Sequence, residues 1–564
     1  MRARLVLAVL FAAVLCGCAT PSGESYDLII DNGSVYDGSG AAPAVVDVAI
    51  EGDRIAAIGD LDNARADRRI DAAGMAVTPG FINMLSWATD SLIQDGRSQS
   101  DIRQGVTLEV MGEGESMGPL TPSMRAEMIE RQSFVRYEPN WTTLGEYLEH
   151  LERRGVSTNV ASFIGATTVR IHEIGYEDHP PTPEELARMQ ELVRQAMREG
   201  AMGVGSSLIY APAFYAESDE LIALTAAARE YNGAYISHIR SEGDRYLEAL
   251  DELIAISRAT GARAQVYHLK PAGERNWDLS EAGIARLNAA RAEGLDISAD
   301  IYTYNAGATG LDAAMPPWVQ EGGHDAWLAR LRDPAIRARV LAEMRAPTAD
   351  WESLYQLAGS PENVILIGFK NPALRRYTGQ TLAQVAAARG TSPEDTMIDL
   401  VIEDNHRVDT AYVLMSEENI ERNLRWPFTM IGSDAGSMAP EEPFTQFSPH
   451  PRAYGTFARF LGHYVRDRQL MPLEEGVRRL TSLPADFLAI RERGRLQVGY
   501  YADVVVFDPA TIRDYATFAE PHQYSTGVRD VFVNGVQVLR DGEHTGATPG
   551  RVVRGPGWEG WSRQ

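Results

Sequence analysis

The sequence predicts an α/β protein: a parallel (β/α)8 TIM-like barrel joined to a small β-sandwich domain assembled from both ends of the chain. Three observations predict it. The long middle of the 564-residue chain alternates short apolar runs with helical patterns, as repeated βα units do. Eight such runs can be counted, the number a closed barrel needs. Both ends carry short strand-like runs broken by turn dipeptides such as Asn32-Gly33, Gly52-Asp53 and Asn534-Gly535.

In chain order, residues 26–30, 46–50 and 54–59 read as short strands of the small domain. The barrel strands are expected at residues 77–84, 106–111, 160–164, 202–208, 234–239, 264–270, 297–304 and 428–434. Helical stretches at 183–199, 219–232 and 279–294 lie between them. Residues 313–422 are too long for one crossover and hold their own apolar runs, so they read as an insertion. Residues 501–509 form a strand and 528–539 a hairpin. The expected domains are therefore 26–77 plus 491–555 for the β domain and 78–490 for the barrel.

The chain opens with Arg2 and Arg4, an apolar run over residues 5–15, and Leu15-Cys16-Gly17-Cys18. That is an export signal in form, too short to span a bilayer, and its end resembles a bacterial lipobox. The expectation is removal of the signal within residues 1–18 and a lipid anchor on Cys18, which places the mature protein in the cell envelope and makes that anchor its one membrane contact. No cysteine follows Cys18, so a metal must be held by His, Asp or Glu, and a thiol nucleophile is excluded. Lys plus Arg number 53 against 78 Asp plus Glu, a net charge of −25, which argues against nucleic acid as a partner.

Catalytic groups of a barrel sit at the C-terminal ends of its strands. Two predicted strands on consecutive βα units carry His238 and His268 there, and the last ends in Asp434. Two imidazoles facing a carboxylate suit a divalent metal, zinc above all, with a water activated beside a general base. Lys270 lies two residues past His268, on the same face if the strand alternation continues.

These residues fall in an ordered series of motifs. Asp27-Leu-Ile-Ile-Asp-Asn-Gly33, Thr78-Pro-Gly-Phe-Ile82 and Gly205-Ser-Ser-Leu-Ile-Tyr-Ala-Pro212 come first. Ser237-His-Ile-Arg-Ser-Glu242, His268-Leu-Lys270, Asp300-Ile-Tyr-Thr-Tyr304, Gly432-Ser-Asp434 and Ser448-Pro-His-Pro-Arg-Ala-Tyr-Gly-Thr-Phe457 follow. Over residues 26–554 the chain resembles the amidohydrolase superfamily, and within it the N-acyl-D-amino-acid deacylase branch. The resemblance implies a zinc-dependent hydrolase that cleaves the amide bond of N-acyl-D-amino acids. His238 and His268 would be metal ligands, Asp434 the catalytic base, and Lys270, Tyr302 and Arg452 the binders of an anionic substrate's α-carboxylate, with Tyr304 a further hydroxyl.

The chain departs from the family pattern at three places. The His-x-His pair that normally ends the first strand is replaced within Asn83-Met-Leu-Ser-Trp87. A metal-binding cysteine is missing from Gly112-Glu-Gly-Glu115, and a Gly-His-Gly string reads Gly165-Ala-Thr167. Glu113 becomes the natural third ligand, with Glu115 as the alternative, and one tightly held zinc is expected rather than two. Hydrolysis of another cyclic amide, lactam or ester, or a non-catalytic binding lipoprotein, are the competing expectations, because one fold hosts many functions.

Overall fold

The computed structural model describes residues 25–347 and 350–563. The expected export signal and Cys18 lie outside the described residues.

The barrel forms from the runs the sequence marks. Its strands are Phe81–Asn83, Val106–Met111, Asn159–Ser162 (continuing as Ile164–Gly165), Gly203–Ser207, Ala234–His238, Ala264–Val266, Ile297–Ile301 and Thr429–Ile431. Neighbours pair in parallel and in chain order. The ring closes where the Met84 N–H donates to the Ile431 carbonyl at 3.2 Å and the Asp434 N–H to the Leu85 carbonyl at 2.8 Å. Strand alternation sorts the side chains into layers. Ala234 and Ile236 pack inside with Leu108, Phe163 and Met430, while Tyr235 turns outward among the helices.

The covering helices end where local chemistry ends them. Thr182 and Glu185 form a capping box ahead of Pro183–Arg198, whose buried face is Met189, Val193, Ala196 and Met197. Gly261, at φ +68°, stops Tyr246–Thr260.

Strands from the two ends of the chain share one sheet. Ser25–Val35, Ala44–Glu51 and Arg54–Gly59 continue through Ala76–Pro79 into Val504–Phe507, Val528–Val533 and Val536–Arg540. Leu28, Ile30, Val48 and Ile50 share a core with Val504, Val506 and Phe532, so the sheet wraps around its own apolar face. The hairpin turn at Asn534-Gly535 has φ +49° and +79°, which an Asn-Gly pair tolerates.

Between the last two barrel strands the chain builds a three-stranded antiparallel sheet from Ala306–Gly310, Asp409–Val413 and Val364–Gly368, flanked by helices. It begins ahead of residue 313, where the insertion was expected to start, because Ala-Gly-Ala-Thr-Gly carries no strand signal.

Four expected barrel strands are shorter than the sequence suggests, among them 77–84, whose first residues pair in the sheet of the chain ends as Ala76–Pro79 while only Phe81–Asn83 joins the barrel. Residues 264–270, 297–304 and 428–434 leave the ladder at Val266, Ile301 and Ile431. In 264–270, the chain turns at His268, whose φ is +36°. Lys270 therefore reaches the imidazole around a bend, and strand alternation is not what brings the two together.

Candidate active site

The strand ends open into a cavity of about 410 Å³ lined by Glu113, His238, His268, Lys270, Asp434 and Arg452 among others. Glu113 follows the second barrel strand, between Gly112 at φ +103° and Gly114 at φ +73°. A side chain at Gly112 would place its Cβ 2.3 Å from the Phe163 carbonyl oxygen, and at Gly114 2.6 Å from the Ser207 Cβ. Only glycine lets this loop turn so closely against the neighbouring strands.

Glu113 Oε1 lies 3.2 Å from His238 Nδ1 and 3.0 Å from His268 Nε2. The two imidazoles stand edge to face with centroids 4.5 Å apart. Burial opposes a charge on Glu113, but the hydrogen bonds from His238 and His268 outweigh it and hold the carboxyl well below its usual range. The other carboxylate oxygen, Oε2, accepts from Trp87 Nε1 at 2.8 Å. Glu115, the alternative ligand, is exposed in this loop and lies outside the cluster.

These three residues fit a metal. Bonds of about 2.0–2.1 Å in a tetrahedral site set donor atoms roughly 3.3 Å apart, close to the spacing seen here. The donors are nitrogen and carboxylate oxygen, which zinc accepts. No thiol, His-x-His pair or further imidazole joins them among the described residues.

Glu242 is the residue that sequence reasoning passed over. Its Oε1 lies 2.8 Å from His268 Nδ1 and 2.6 Å from Lys270 Nζ, and its Oε2 3.8 Å from His238 Nε2. A carboxylate on the far nitrogen of a histidine fixes that ring's tautomer and orientation. Burial again works against the charge, and Lys270 first, then His268, hold the Glu242 carboxyl below its usual range. Lys270 is buried as well, and Glu242 more than offsets that burial, so its ammonium stays charged above the usual lysine value. The sequence signals for Glu242 are its place four residues after His238 and its position at the end of the Ser237-His-Ile-Arg-Ser-Glu242 motif.

Asp434 sits just past the last strand at φ +50°, a backbone state that costs a non-glycine residue free energy and recurs at active sites. Asn83 holds it there. The Asn83 Oδ1 accepts the Ser433 N–H at 2.9 Å and its Nδ2 donates to Ser433 Oγ at 2.8 Å, tying the first strand to the last. Burial raises the Asp434 carboxyl, and the Arg452 guanidinium partly compensates, with Nη1 2.7 Å from Asp434 Oδ2.

Arg452 lies under Tyr302, 4.5 Å from the ring centroid. Its Nε and the Tyr302 hydroxyl are both buried without a hydrogen-bond partner. Buried donors left unpaired are costly, and here they converge on the cavity beside Lys270. Tyr304 is committed elsewhere, donating to Asp514 at 3.0 Å. His450 is committed too: Nδ1 accepts the Arg452 N–H at 3.1 Å and Nε2 faces the Ala306 carbonyl at 2.9 Å. Burial pushes its imidazole well below the usual value, so it stays neutral.

A parallel eight-stranded barrel with a carboxylate and two imidazoles at the C-terminal rim defines a class, the metal-dependent barrel hydrolases. The amidohydrolase family model matches residues 68–539, and the chain belongs to that family. It is 33% identical over 534 residues to a D-aminoacylase of Alcaligenes xylosoxydans xylosoxydans, covering 94% of this chain and 98% of that protein. It is similar to the structure of N-acyl-D-glutamate deacylase from Bordetella bronchiseptica, complexed with zinc and a phosphonate mimic of the tetrahedral intermediate. That match has a TM-score of 0.78 and 30% identity, and covers 94% of this chain and 100% of that one. A D-aminoacylase structure described for its binuclear metal centre, with one-metal activation and second-metal attenuation, matches at TM-score 0.76 and 32% identity, over 94% of this chain and 100% of that one.

Proposed function

We propose that this protein is a zinc-dependent deacylase that hydrolyses the amide bond of N-acyl-D-amino acids. The observation that carries the reading is the pairing of two features in one cavity. One is a carboxylate oxygen shared by His238 and His268; the other is the pair of unpartnered donors on Tyr302 and Arg452 beside the Lys270 ammonium. The first suits hydrolysis at a carbonyl and the second suits an anion attached to the same molecule.

A zinc ion held by Glu113, His238 and His268 would polarise the scissile carbonyl and lower the pKa of a water. Glu242, with Oε1 2.8 Å from His268 Nδ1, braces the edge of the His268 ring that faces away from Glu113. Lys270 Nζ, Tyr302 Oη and Arg452 Nε take the substrate's α-carboxylate and fix the orientation of the amide. Asp434 accepts a proton from the attacking water and passes it to the departing amine nitrogen. Arg452 Nη1, 2.7 Å from Asp434 Oδ2, joins the anion-binding group to the proposed base.

The test is a hydrolysis screen with paired D- and L-acyl amino acids, with zinc supplied and with zinc removed by chelation. Release of free D-amino acid that depends on zinc supports the reading; a lack of turnover with any D-substrate in a zinc-loaded protein refutes it. The Leu15-Cys16-Gly17-Cys18 motif supports a lipid-anchored, exported form of the same enzyme, and mass spectrometry of the mature N-terminus checks it.

A further inference from the structure

Trp87 has no role in the mechanism above, yet it touches the site. Its indole donates to Glu113 Oε2 at 2.8 Å, while Oε1 of the same carboxylate serves the two imidazoles. The ring lines the cavity and is 37% exposed. The other exposed large apolar side chains among the described residues, Val45, Val498, Tyr515 and Val536, line no part of that cavity. A tryptophan left open at a cavity wall offers a large apolar face to whatever binds there. Its neighbours share that character. Met438 lines the same cavity, and a Cβ at Gly436, between them in that lining, would meet the Met438 methyl at 3.2 Å and the Trp87 backbone carbonyl at 3.4 Å. Phe447 lines the same cavity, its ring stacked on Phe134 at 4.9 Å.

The order of contacts gives this strip a direction. Trp87 contacts Glu113, Glu113 contacts the Nε2 edge of His268, and Lys270 contacts the opposite, Nδ1 edge of that ring at 2.8 Å. Trp87 and Lys270 thus stand at opposite ends of the cluster. With the amino-acid half of an N-acyl-amino acid held at Lys270 and the scissile carbonyl at the cluster, the acyl half extends toward Trp87. We propose that Trp87 determines specificity for the acyl group, and that the preferred substrates carry a bulky apolar acyl chain or aryl-acyl group instead of formyl or acetyl. The proposal rests on the deacylase reading and adds to it the acyl class.

The experiment measures kcat/KM of the zinc-loaded full chain for N-acetyl, N-hexanoyl and N-phenylacetyl derivatives of one D-amino acid. Wild type, Trp87→Phe, Trp87→Ala and Met438→Ala are compared, with zinc content determined for each. Wild type should favour the larger acyl groups by at least about tenfold, the scale on which an apolar pocket discriminates. Trp87→Ala should remove most of that preference, chiefly through KM. Trp87→Phe keeps a ring but loses the indole N–H, so it should retain the preference, and Met438→Ala should narrow it. Equal kcat/KM for the three acyl groups in wild type overturns the proposal, as does an equal fall for all three in Trp87→Ala. Should Trp87→Ala not fold or not hold zinc, the decision passes to Met438→Ala, and an unchanged preference there overturns the proposal. If no D-derivative is cleaved with zinc bound, the deacylase reading itself fails, an outcome distinct from cleavage without acyl preference.

Discussion

One oxygen of Glu242 lies 2.8 Å from His268 Nδ1 and 2.6 Å from Lys270 Nζ. A single buried carboxylate therefore braces both an imidazole of the proposed metal site and the ammonium of the proposed anion site. The two proposed functions are mechanically linked: loosening Glu242 would disturb the His268 imidazole and the Lys270 ammonium together.

Glu242→Gln tests that link. The amide keeps the shape but loses the charge that orients His268 and holds Lys270. Zinc affinity should fall about 10- to 100-fold, the usual cost of removing a histidine's outer partner. Competition against a chelator of known affinity measures it. Unchanged zinc affinity would mean that the His268 ring is held by its surroundings alone.

Metal stoichiometry tests the ligand set. Glu113, His238 and His268 form one cluster, while Leu85 and Trp87 offer no lone pair suited to a second ion. The purified protein should hold close to one zinc per chain, and Glu113→Ala should lose most of it. Added zinc beyond one equivalent should leave activity undiminished, unlike the second-metal attenuation described for a D-aminoacylase. Metal analysis by plasma mass spectrometry, run beside activity against added zinc, checks both. Two tightly bound zinc ions would contradict this ligand set.

Much of the barrel is legible in the sequence because its strands are buried on both faces and bounded by helices. The strand ends are less legible. Tyr267 and Leu269 prolong the apolar pattern past Val266, so nothing in the pattern marks the turn that His268 makes at φ +36°. In the site, His238, His268 and Asp434 are visible as polar residues ending apolar runs. Glu242 sits in a loop, where a carboxylate resembles any solvated one, and only the fold carries it to 2% exposure between His268 and Lys270. Trp87 is missed for the opposite reason: an aromatic residue near a strand end reads as core, and its contact with Glu113 depends on a loop 26 residues away.

Asp434→Asn tests the proposed base. Asparagine keeps the size of the side chain and accepts no proton in the relevant range. The fold and most of the zinc should be retained, because Asp434 is outside the ligand cluster. The kcat should fall by about 10²–10⁴, the usual contribution of general acid–base catalysis. His450 cannot substitute, since both its ring nitrogens are engaged and burial keeps it neutral. Near-wild-type turnover with zinc bound would remove Asp434 from the mechanism.

Lys270→Met tests anion recognition, and its value lies in a comparison between substrates. The ammonium is buried, held by Glu242, and faces the cavity that Tyr302 and Arg452 share. Methionine fills similar space without charge. A charge-assisted hydrogen bond contributes about 1.5–3 kcal/mol, so kcat/KM for an N-acyl-D-amino acid should fall by roughly 10- to 100-fold. For the matching amide, whose α-carboxylate is replaced by a neutral carboxamide, the fall should be far smaller, because that bond is not made in the wild type. Loss of the lysine also leaves Glu242 with His268 as its remaining close partner, so zinc content must be measured in the same preparation to separate recognition from metal loss. An equal fall on both substrates, with zinc retained, would mean that Lys270 does not read the carboxylate, and the anion site would then reduce to Tyr302 and Arg452.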